Sequence, residues 1–454
     1  MLEQCAVLDW AASGAMALTG QPDGAPVTSP APVLTMLAAV TEQLARATGE
    51  TGHPVRADPA ELITGRAALM GLRRGGQVSA GGSSFLLRSA DGWCGISLAR
   101  PDDLAAVPAI LGALGLDPGD LGGALLPANA RSALAAVALG RPAEDLAAAA
   151  QLLGVPAGAL PPTSWPPTPQ PAPEPDMDQS GPSWRATRIA PPSLAARLAG
   201  AVVADLSSMW AGPLCARLLG LAGADVIKVE SSDRPDGARA GNREFFDWLH
   251  AGHRSLAADF RTAAGRAAIK ALLGVADIVI EASRPRALAV LGLAPDMIPH
   301  RDGQVWLSIT GYGRAAPEQV AFGDDAAVAG GLVGWTTGQA REPVFCADAI
   351  ADPLAGVCGA LAVARSVADG GGELIDLSMR EVAATFAAAA ASTHGPHDVR
   401  PDGTVTCPLA GRQQAVLPPR RPAPSASPST SHAAYLGADT SAVLAWLADR
   451  AAAC

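Results

Sequence analysis

Aspartates stand at two positions of this 454-residue chain where a carboxylate could do chemistry. Asp352 lies in CADAIADPLAGVCGALAVA and is followed by Pro353, a pair typical of a helix start with Asp as the N-cap and Pro as the first helical residue. The positive end of the helix dipole would hold this aspartate ionised. A capping role and a chemical role are compatible there. Asp324 and Asp325 form the other position, in AFGDDAAVA, where a surface turn is an equally good interpretation of Asp325.

The turn LSSMWAGP is the place where a dinucleotide-binding enzyme would show its glycine-rich phosphate loop. Met209 and Trp210 would block the approach of a pyrophosphate to the backbone. Glu230 ends the next strand, where a ribose-binding acid would lie, but a single acid at a strand end is weak evidence. The turn therefore disfavours NAD binding.

Alternating strand and helix patterns position these residues. AVVADL, DVIKV, DIVIE and VWLSIT predict strands at Ala201–Leu206, Asp225–Val229, Asp277–Glu281 and Val305–Thr310. Helices are predicted between them at Pro213–Leu221 and Ala263–Leu273. Such alternation predicts an α/β fold with a Rossmann-like, open and mostly parallel sheet.

The region before residue 156 reads differently. It predicts a hairpin of Ser84–Arg88 and Trp93–Ala99, followed by helices at Leu104–Leu114 and around Ala130–Leu139, as expected for a smaller α+β domain. We divide the chain into residues 1–155, a Pro-rich linker at 156–192, a Rossmann-like core at 193–395, and a Pro-rich arm with a C-terminal helix (Thr440–Ala452) at 396–454.

One internal similarity crosses this division. Ala11–Val27 resembles Ala327–Val344, with small residues, a Thr-Gly turn and a Pro-Val strand start in the same order, and each leads into an Ala-rich helix. Either a degenerate repeat or chance similarity of Ala/Gly-rich sequence explains it.

Composition limits the function classes. A net charge of −10 disfavours a general nucleic-acid binder. The seven cysteines are scattered without a CxxC pair, which predicts reduced thiols of a cytoplasmic protein and neither a disulfide framework nor a zinc site. The N-terminal MLEQCAVLDW lacks the pattern of a signal peptide, and no membrane association is expected.

Five segments in order resemble the family III CoA-transferases, the group that includes formyl-CoA and carnitine CoA-transferases and α-methylacyl-CoA racemases. In this chain the small-domain-like half precedes the Rossmann-like half. In the family, the small domain normally follows the Rossmann-like core. The segments are VVADLSSMWAGPLCARLLGLAGADVIKVE (Val202–Glu230), PDGAR (Pro235–Arg239), HAGHRSLAADF (His250–Phe260), ADIVIEASRPRALAVLGL (Ala276–Leu293) and VWLSITGYG (Val305–Gly313).

The resemblance implies a function. It places Asp352 as the nucleophile that moves CoA between an acyl-CoA thioester and a free carboxylic acid through an aspartyl anhydride and an aspartyl-CoA thioester. Coenzyme A thioester is then a substrate, and neither a prosthetic group nor a metal is needed. The resemblance also implies an interlocked homodimer threaded through the linker, for which a flexible tether is the alternative.

The resemblance also implies which residues contact CoA, although each cation taken singly is better explained as a surface charge. His253 stands where the family often has lysine. The implied residues are Trp210, Ala211, Arg239, His253, Arg254, Arg284 and Asp325, with Arg286 nearby.

Two other functions remain open. An acyl-CoA racemase or isomerase of the same group is disfavoured because Asp324 stands where racemases carry a histidine, and racemisation needs a base on each face of the α-carbon. A catalytically silent CoA-binding homologue is the second alternative.

Overall fold

A computed structural model of the protein describes residues 5–29, 31–116, 127–162, 184–337, 341–389, 397–400, 402–409, 411–423 and 432–453. The helices are α1 (Ala6–Ser13), α2 (Val33–Thr51), α3 (Pro59–Met70), α4 (Pro101–Ala113), α5 (Pro127–Ala138), α6 (Ala143–Leu152), α7 (Ala211–Leu221), α8 (Arg243–His250), α9 (Ala263–Val275), α10 (Pro285–Val290), α11 (Gly323–Ala329), α12 (Ala351–Ala368), α13 (Met379–Ala387) and α14 (Thr440–Ala453). The strands are β1 (Ser84–Arg88), β2 (Trp93–Ser97), β3 (Ala157–Ala159), β4 (Arg185–Arg188), β5 (Val202–Asp205), β6 (Asp225–Ser231), β7 (Arg254–Ala258), β8 (Ile278–Glu281), β9 (Val305–Thr310), β10 (Val333–Trp335), β11 (Pro343–Phe345), β12 (Glu373–Ser378), β13 (Asp398–Val399), β14 (Thr404–Cys407) and β15 (Arg412–Ala415).

The largest sheet has seven strands in the order β4-β12-β9-β8-β5-β6-β7. All neighbours are parallel except β4, which pairs antiparallel with β12 at one edge. The six parallel strands follow the doubly wound order of a Rossmann fold, whose direction of winding reverses between β5 and β8. The predicted fold class is confirmed.

Fully buried strands explain why the sequence revealed β5, β8 and β9: every residue of these three strands is buried, so each reads as an apolar run. The strands β7 and β12 were not predicted. Both mix polar residues into a partly buried pattern, as RSLAA and ELIDLS show, and neither forms such a run.

A long buried helix, α12, lies at the centre of the main core. It is apolar and long enough to span a membrane by length and composition, and 83% of it is buried inside the protein. Helices α7 and α2 pack against it. The core around α12 draws residues from Cys5–Ile63 as well as from Leu198–Cys407, so the start of the chain and the Rossmann-like core share one interior.

The smaller α+β unit has its own core. It consists of the antiparallel sheet β1-β2-β3 with α4, α5 and α6. Its sheet packs closely on α11: a β-carbon on Gly158 would lie 2.6 Å from the β-carbon of Ala329, so only glycine permits this approach. The predicted hairpin is confirmed, with β2 ending at Ser97 rather than Ala99.

The predicted linker, 156–192, differs from the structure at both ends. Ala157–Ala159 forms β3 and Arg185–Arg188 forms β4, so each end belongs to a sheet. Strands this short have no periodicity that a sequence pattern could reveal. Residues 163–183 lie outside the described part of the chain.

The two similar segments have the same local organisation. In each, a helix leads through a small antiparallel pairing, Gly20 with Pro26 or β10 with β11, to a long helix, α2 or α12. They also contact each other, since the backbone N–H of Ala347 donates to Thr19 Oγ1 at 3.0 Å. The first turn of α2 carries no acid, whereas that of α12 carries Asp352.

The C-terminal helix α14 covers the open edge of the large sheet. Thr440 Oγ1 accepts from the backbone N–H of Ala257 at 3.0 Å, and an Asp439 carboxylate oxygen accepts from that of Ser255 at 2.8 Å. These bonds satisfy outward-facing donors of β7 that would otherwise offer a template for strand addition.

Candidate active site

Asp352 is the second residue of α12. The N-cap is Ile350, which already has a helical conformation. The helical turn begins before Asp352 because the Asp352 backbone N–H donates to the Ala349 carbonyl at 2.9 Å. The predicted capping geometry, with Asp352 as N-cap and Pro353 first, is therefore wrong by two residues. Ala347 and Ala349 precede the helix with φ of 57° and 41°, conformations that cost on the order of 1–3 kcal/mol each.

The carboxyl group of Asp352 lies against the first residue of α11. The backbone N–H of Gly323 donates to it, and a β-carbon on Gly323 would lie 2.3 Å from Asp352 Oδ2. Only glycine allows this contact. The side chain of Asp352 is half-buried.

Two further carboxyl groups adjoin Asp352. Asp324 Oδ1 accepts from the backbone N–H of Ala349 at 3.0 Å, and its Oδ2 accepts from Ser84 Oγ at 2.9 Å. Asp348 Oδ1 accepts from Arg66 Nη1 at 2.7 Å. Both aspartates are buried, with 8% and 1% exposure. We call Asp324, Asp348, Asp352 and Arg66 the acidic cluster.

Burial dominates the electrostatics of this cluster. It raises the pKa of Asp352 to about 7, and the charges of Asp324 and Asp348 add to that rise, while Arg66 and the Gly323 N–H oppose it. Burial likewise raises the pKa of Asp324 to about 6. The helix dipole was expected to hold Asp352 ionised. Desolvation outweighs it, so near neutral pH Asp352 carries a proton about half of the time.

Arg66 is the functional residue that sequence analysis missed. It lies on α3, whose start is fixed by Asp58 accepting from the Ala60 N–H at 2.8 Å, and it is 282 residues from Asp348. Its guanidinium lies 5.4 Å from the Trp210 ring centroid and 5.8 Å from that of Phe245. No local pattern marks such a residue, since the contact is created only when α3 packs beside α7 and α8.

Trp210 lies beside Arg66 of this cluster, and the Ala211 carbonyl lies against Gly356 of α12. Both are buried, at 3% and 5% exposure. The Trp210 ring meets Phe245 edge-on at 5.7 Å. The turn before them is held by Met209, whose N–H donates to Asp236 at 3.1 Å and whose φ is 72°.

Asp325 adjoins the cluster but faces the smaller domain. Its Oδ1 accepts from Ser97 Oγ at 2.7 Å and from the Phe322 backbone N–H at 3.0 Å. Burial raises the pKa of Asp325 to about 8. With Ser84 bonded to Asp324, the two serines connect the hairpin to α11.

The remaining residues implied for CoA binding are spread over several places. Arg239 is paired with Glu230 at 2.6 Å and stacks on Phe246 at 4.5 Å. Arg254 begins β7 at the amino edge of the sheet, where it pairs with Asp225. Ligands of such sheets bind at the opposite side, where the carboxyl ends of the parallel strands lie; we call this side the carboxyl edge.

His253 and Arg284 complete this set. Burial lowers the pKa of His253 to about 3, so the imidazole is neutral and offers no charge to a phosphate. Arg284 follows β8 at the carboxyl edge and lines a cavity with Arg286 and Glu318. Burial and the neighbouring charge of Arg100 lower the pKa of Arg284, which indicates that cations converge there. The structure thus brings Trp210, Ala211 and Asp325 to the region of Asp352, and places the four cationic candidates in separate surroundings.

The part of the chain that contains Asp352 is similar to known proteins. Residues 198–421 match the model of CoA-transferase family III. A probable CoA-transferase of Mycobacterium tuberculosis is 30% identical over 262 residues, which cover 51% of this chain and 33% of that protein. The succinate–glutarate CoA-transferase of Agrobacterium fabrum is 31% identical over 205 residues, covering 41% and 51%.

A solved CAIB/BAIF family protein from Brucella suis is 28% identical with a TM-score of 0.38, covering 43% of this chain and 56% of that one. The chain spans between a third and about half of the length of the curated relatives it matches. On the family model and the two curated relatives, residues 198–421, just under half of the chain, are a CoA-transferase family III region.

Proposed function

We propose that this chain transfers CoA from an acyl-CoA to a free carboxylic acid, with Asp352 as the covalent nucleophile. The observation that carries the proposal is a carboxyl group at the start of α12 that is held by the Gly323 N–H within the matched family region. The named relatives include transferases for formyl-CoA and oxalate and for succinate and glutarate. The acyl group of this chain is left open, because selectivity depends on pocket shape.

The proposed reaction begins with ionised Asp352. Its carboxylate attacks the thioester carbonyl, the C–S bond breaks, and CoA thiolate leaves a mixed anhydride. The thiolate then attacks the aspartyl carbonyl, which releases the donor carboxylate and forms an aspartyl-CoA thioester. The acceptor carboxylate attacks that thioester, the C–S bond breaks, and thiolate leaves a second mixed anhydride between the acceptor and Asp352. The thiolate then attacks the acceptor's carbonyl, which forms the new acyl-CoA and frees the Asp352 carboxylate. No net proton or electron is exchanged.

The surroundings of Asp352 support each step. The Gly323 N–H orients the carboxylate and can stabilise the oxyanion that forms on the aspartyl carbonyl. Arg66 offsets the repulsion among three neighbouring carboxyl groups and favours the ionised nucleophile. Burial restricts water, which would hydrolyse an anhydride.

For CoA itself we propose that the phosphates bind at the carboxyl edge near Arg284 and Arg286. These cations flank the start of α10, where Arg286 pairs with Glu318 at 3.7 Å and Arg284 has no carboxylate partner among the described residues. Arg239 and Arg254 are bound to carboxylates, and His253 is neutral and buried. Trp210 and Ala211 would contact the reacting end of the substrate beside Asp352.

Replacing Asp352 with Asn should lower kcat of CoA transfer at least about a thousand-fold, because the nucleophile is lost. The matched control is Asp369→Asn at the exposed end of α12, which should keep wild-type activity. Folding should survive. The pKa of Asp352 is raised, so its ionised form opposes folding as pH rises towards 7, and above pH 7 the Asn variant should be at least as stable in urea. An Asp352→Asn enzyme with a tenth of the wild-type rate contradicts the covalent mechanism.

The rate of reaction with acyl-CoA should rise with pH to a plateau, with a midpoint near 7, as Asp352 ionises. Arg66→Met removes the stabilising cation, so the midpoint should move upward and the rate at pH 7 should fall roughly three- to ten-fold. Stopped-flow release of CoA thiol against pH measures this. Arg46→Met on the exposed face of α2 is the control. A midpoint that Arg66→Met leaves unchanged would refute this role for Arg66.

Arg284→Gln should raise KM for acyl-CoA about ten-fold with little change in kcat, because a phosphate contact is lost before the chemical step. Arg254→Gln removes the same charge at the amino edge and should leave KM near wild type. Steady-state kinetics with varied acyl-CoA separates the two positions. A larger KM effect for Arg254→Gln would show that CoA binds at the other edge.

A further inference from the structure

Three side chains with metal-binding atoms meet between the residue before α1 and the small sheet β13-β14-β15. Cys5 Sγ lies 3.0 Å from His397 Nε2. The ligand atoms of Cys5, His397 and Cys407 all lie within 4.8 Å of one another. None of the three belongs to the acidic cluster or to the residues assigned to CoA.

The backbone around these side chains is fixed by ordinary packing. Cys5 precedes α1, and Cys407 ends β14, where it pairs with Arg412 of β15. The three-stranded sheet β13-β14-β15 packs on α1. Just after this sheet, the Leu417 backbone N–H donates to the Ala11 carbonyl at 3.0 Å. Cys5 and Cys407 are 2% and 0% exposed, and His397 is partly exposed. The ligands are therefore brought together in the folded protein and need not be gathered by an ion.

We propose that Cys5, His397 and Cys407 bind one Zn²⁺ ion. Two thiolates and an imidazole are the ligand types that zinc prefers, whereas Mg²⁺ and Ca²⁺ prefer oxygen. On binding, each thiol loses its proton to solvent and the neutral imidazole coordinates through Nε2. Water would fill the fourth tetrahedral position.

The observed spacing suits such an ion. Tetrahedral zinc bonds of about 2.3 Å to sulfur and about 2.0 Å to nitrogen place the two atoms about 3.5 Å apart. The Cys5–His397 contact of 3.0 Å must open by only about 0.5 Å. The distances from Cys407 to the other two ligand atoms are at most 4.8 Å.

The site would act as a clamp between the start of the chain and its C-terminal sheet. Both cysteines belong to the main core that also holds α12. Scattered cysteines without a CxxC pair predicted no zinc site, because the ligands are 392 and 10 residues apart and come from three separate segments. Only the fold brings them within reach of one ion.

Zinc binding to the full chain tests this proposal. The reduced, metal-free protein is titrated with Zn²⁺ against a chromophoric chelator, and with Co²⁺, whose visible bands and thiolate charge transfer report tetrahedral sulfur ligation. We expect one equivalent of either ion, and a higher melting temperature with Zn²⁺. Cys5→Ser, Cys407→Ser and His397→Ala should each weaken binding about 100-fold or more.

The matched control is Cys94→Ser, which makes the same change at a buried thiol of the smaller domain and should bind zinc as wild type does. Circular dichroism checks that each variant folds. Wild-type protein that takes up less than half an equivalent of zinc would overturn the proposal. A Cys5–Cys407 disulfide that forms in air, together with no zinc binding by the reduced protein, would also overturn it. An equal loss of zinc binding in Cys94→Ser would do the same.

Discussion

The burial of three closely placed carboxyl groups is the constraint on which the candidate site depends. Asp324, Asp348 and Asp352 share the positive charge of Arg66, and burial removes most of the water that would otherwise screen them. A nucleophile must be ionised to react, yet burial favours its protonated form. The balance between these effects sets the pKa of Asp352 to about 7, so the group is poised near neutral pH.

This constraint explains why the site draws on distant parts of the chain. The Rossmann-like core supplies α12 and its aspartate, and α11 supplies the Gly323 N–H. The opposing charge comes from α3, and Ser84 and Ser97 of the hairpin hold the aspartates of α11 in place. Every one of these groups belongs to the same chain. The contacts that define the acidic cluster are thus made within one chain.

Much of the architecture was predictable because local sequence patterns indicate its strands and helices. Buried strands such as β5, β8 and β9 read as short apolar runs, and the family resemblance implied a role for Asp352. What could not be predicted depends on contacts between segments far apart in sequence. Arg66 differs from other helix arginines only because α3 packs beside Trp210. The Ala-Gly-Ala segment forms β3 only because it pairs with β2. The raised pKa of Asp352 follows from burial, which an N-terminal helix position alone does not reveal.

The similarity between the two halves also has a physical meaning in the structure. Helices α2 and α12 pack together, each following a small two-stranded pairing, but only α12 begins with an acid. Asp352 therefore has no acidic counterpart in the first turn of α2, and Arg66 lies on α3, the helix that follows α2.

The most direct test of the account is to trap the acyl-enzyme. The wild-type chain is incubated with a panel of acyl-CoAs, quenched, digested and mapped by mass spectrometry with and without hydroxylamine. We predict an acyl or CoA adduct on the peptide that contains Asp352, and its conversion by hydroxylamine to the aspartyl hydroxamate at that residue. CoA transfer that proceeds with Asp352 unmodified, or an adduct confined to another residue, would contradict the central claim.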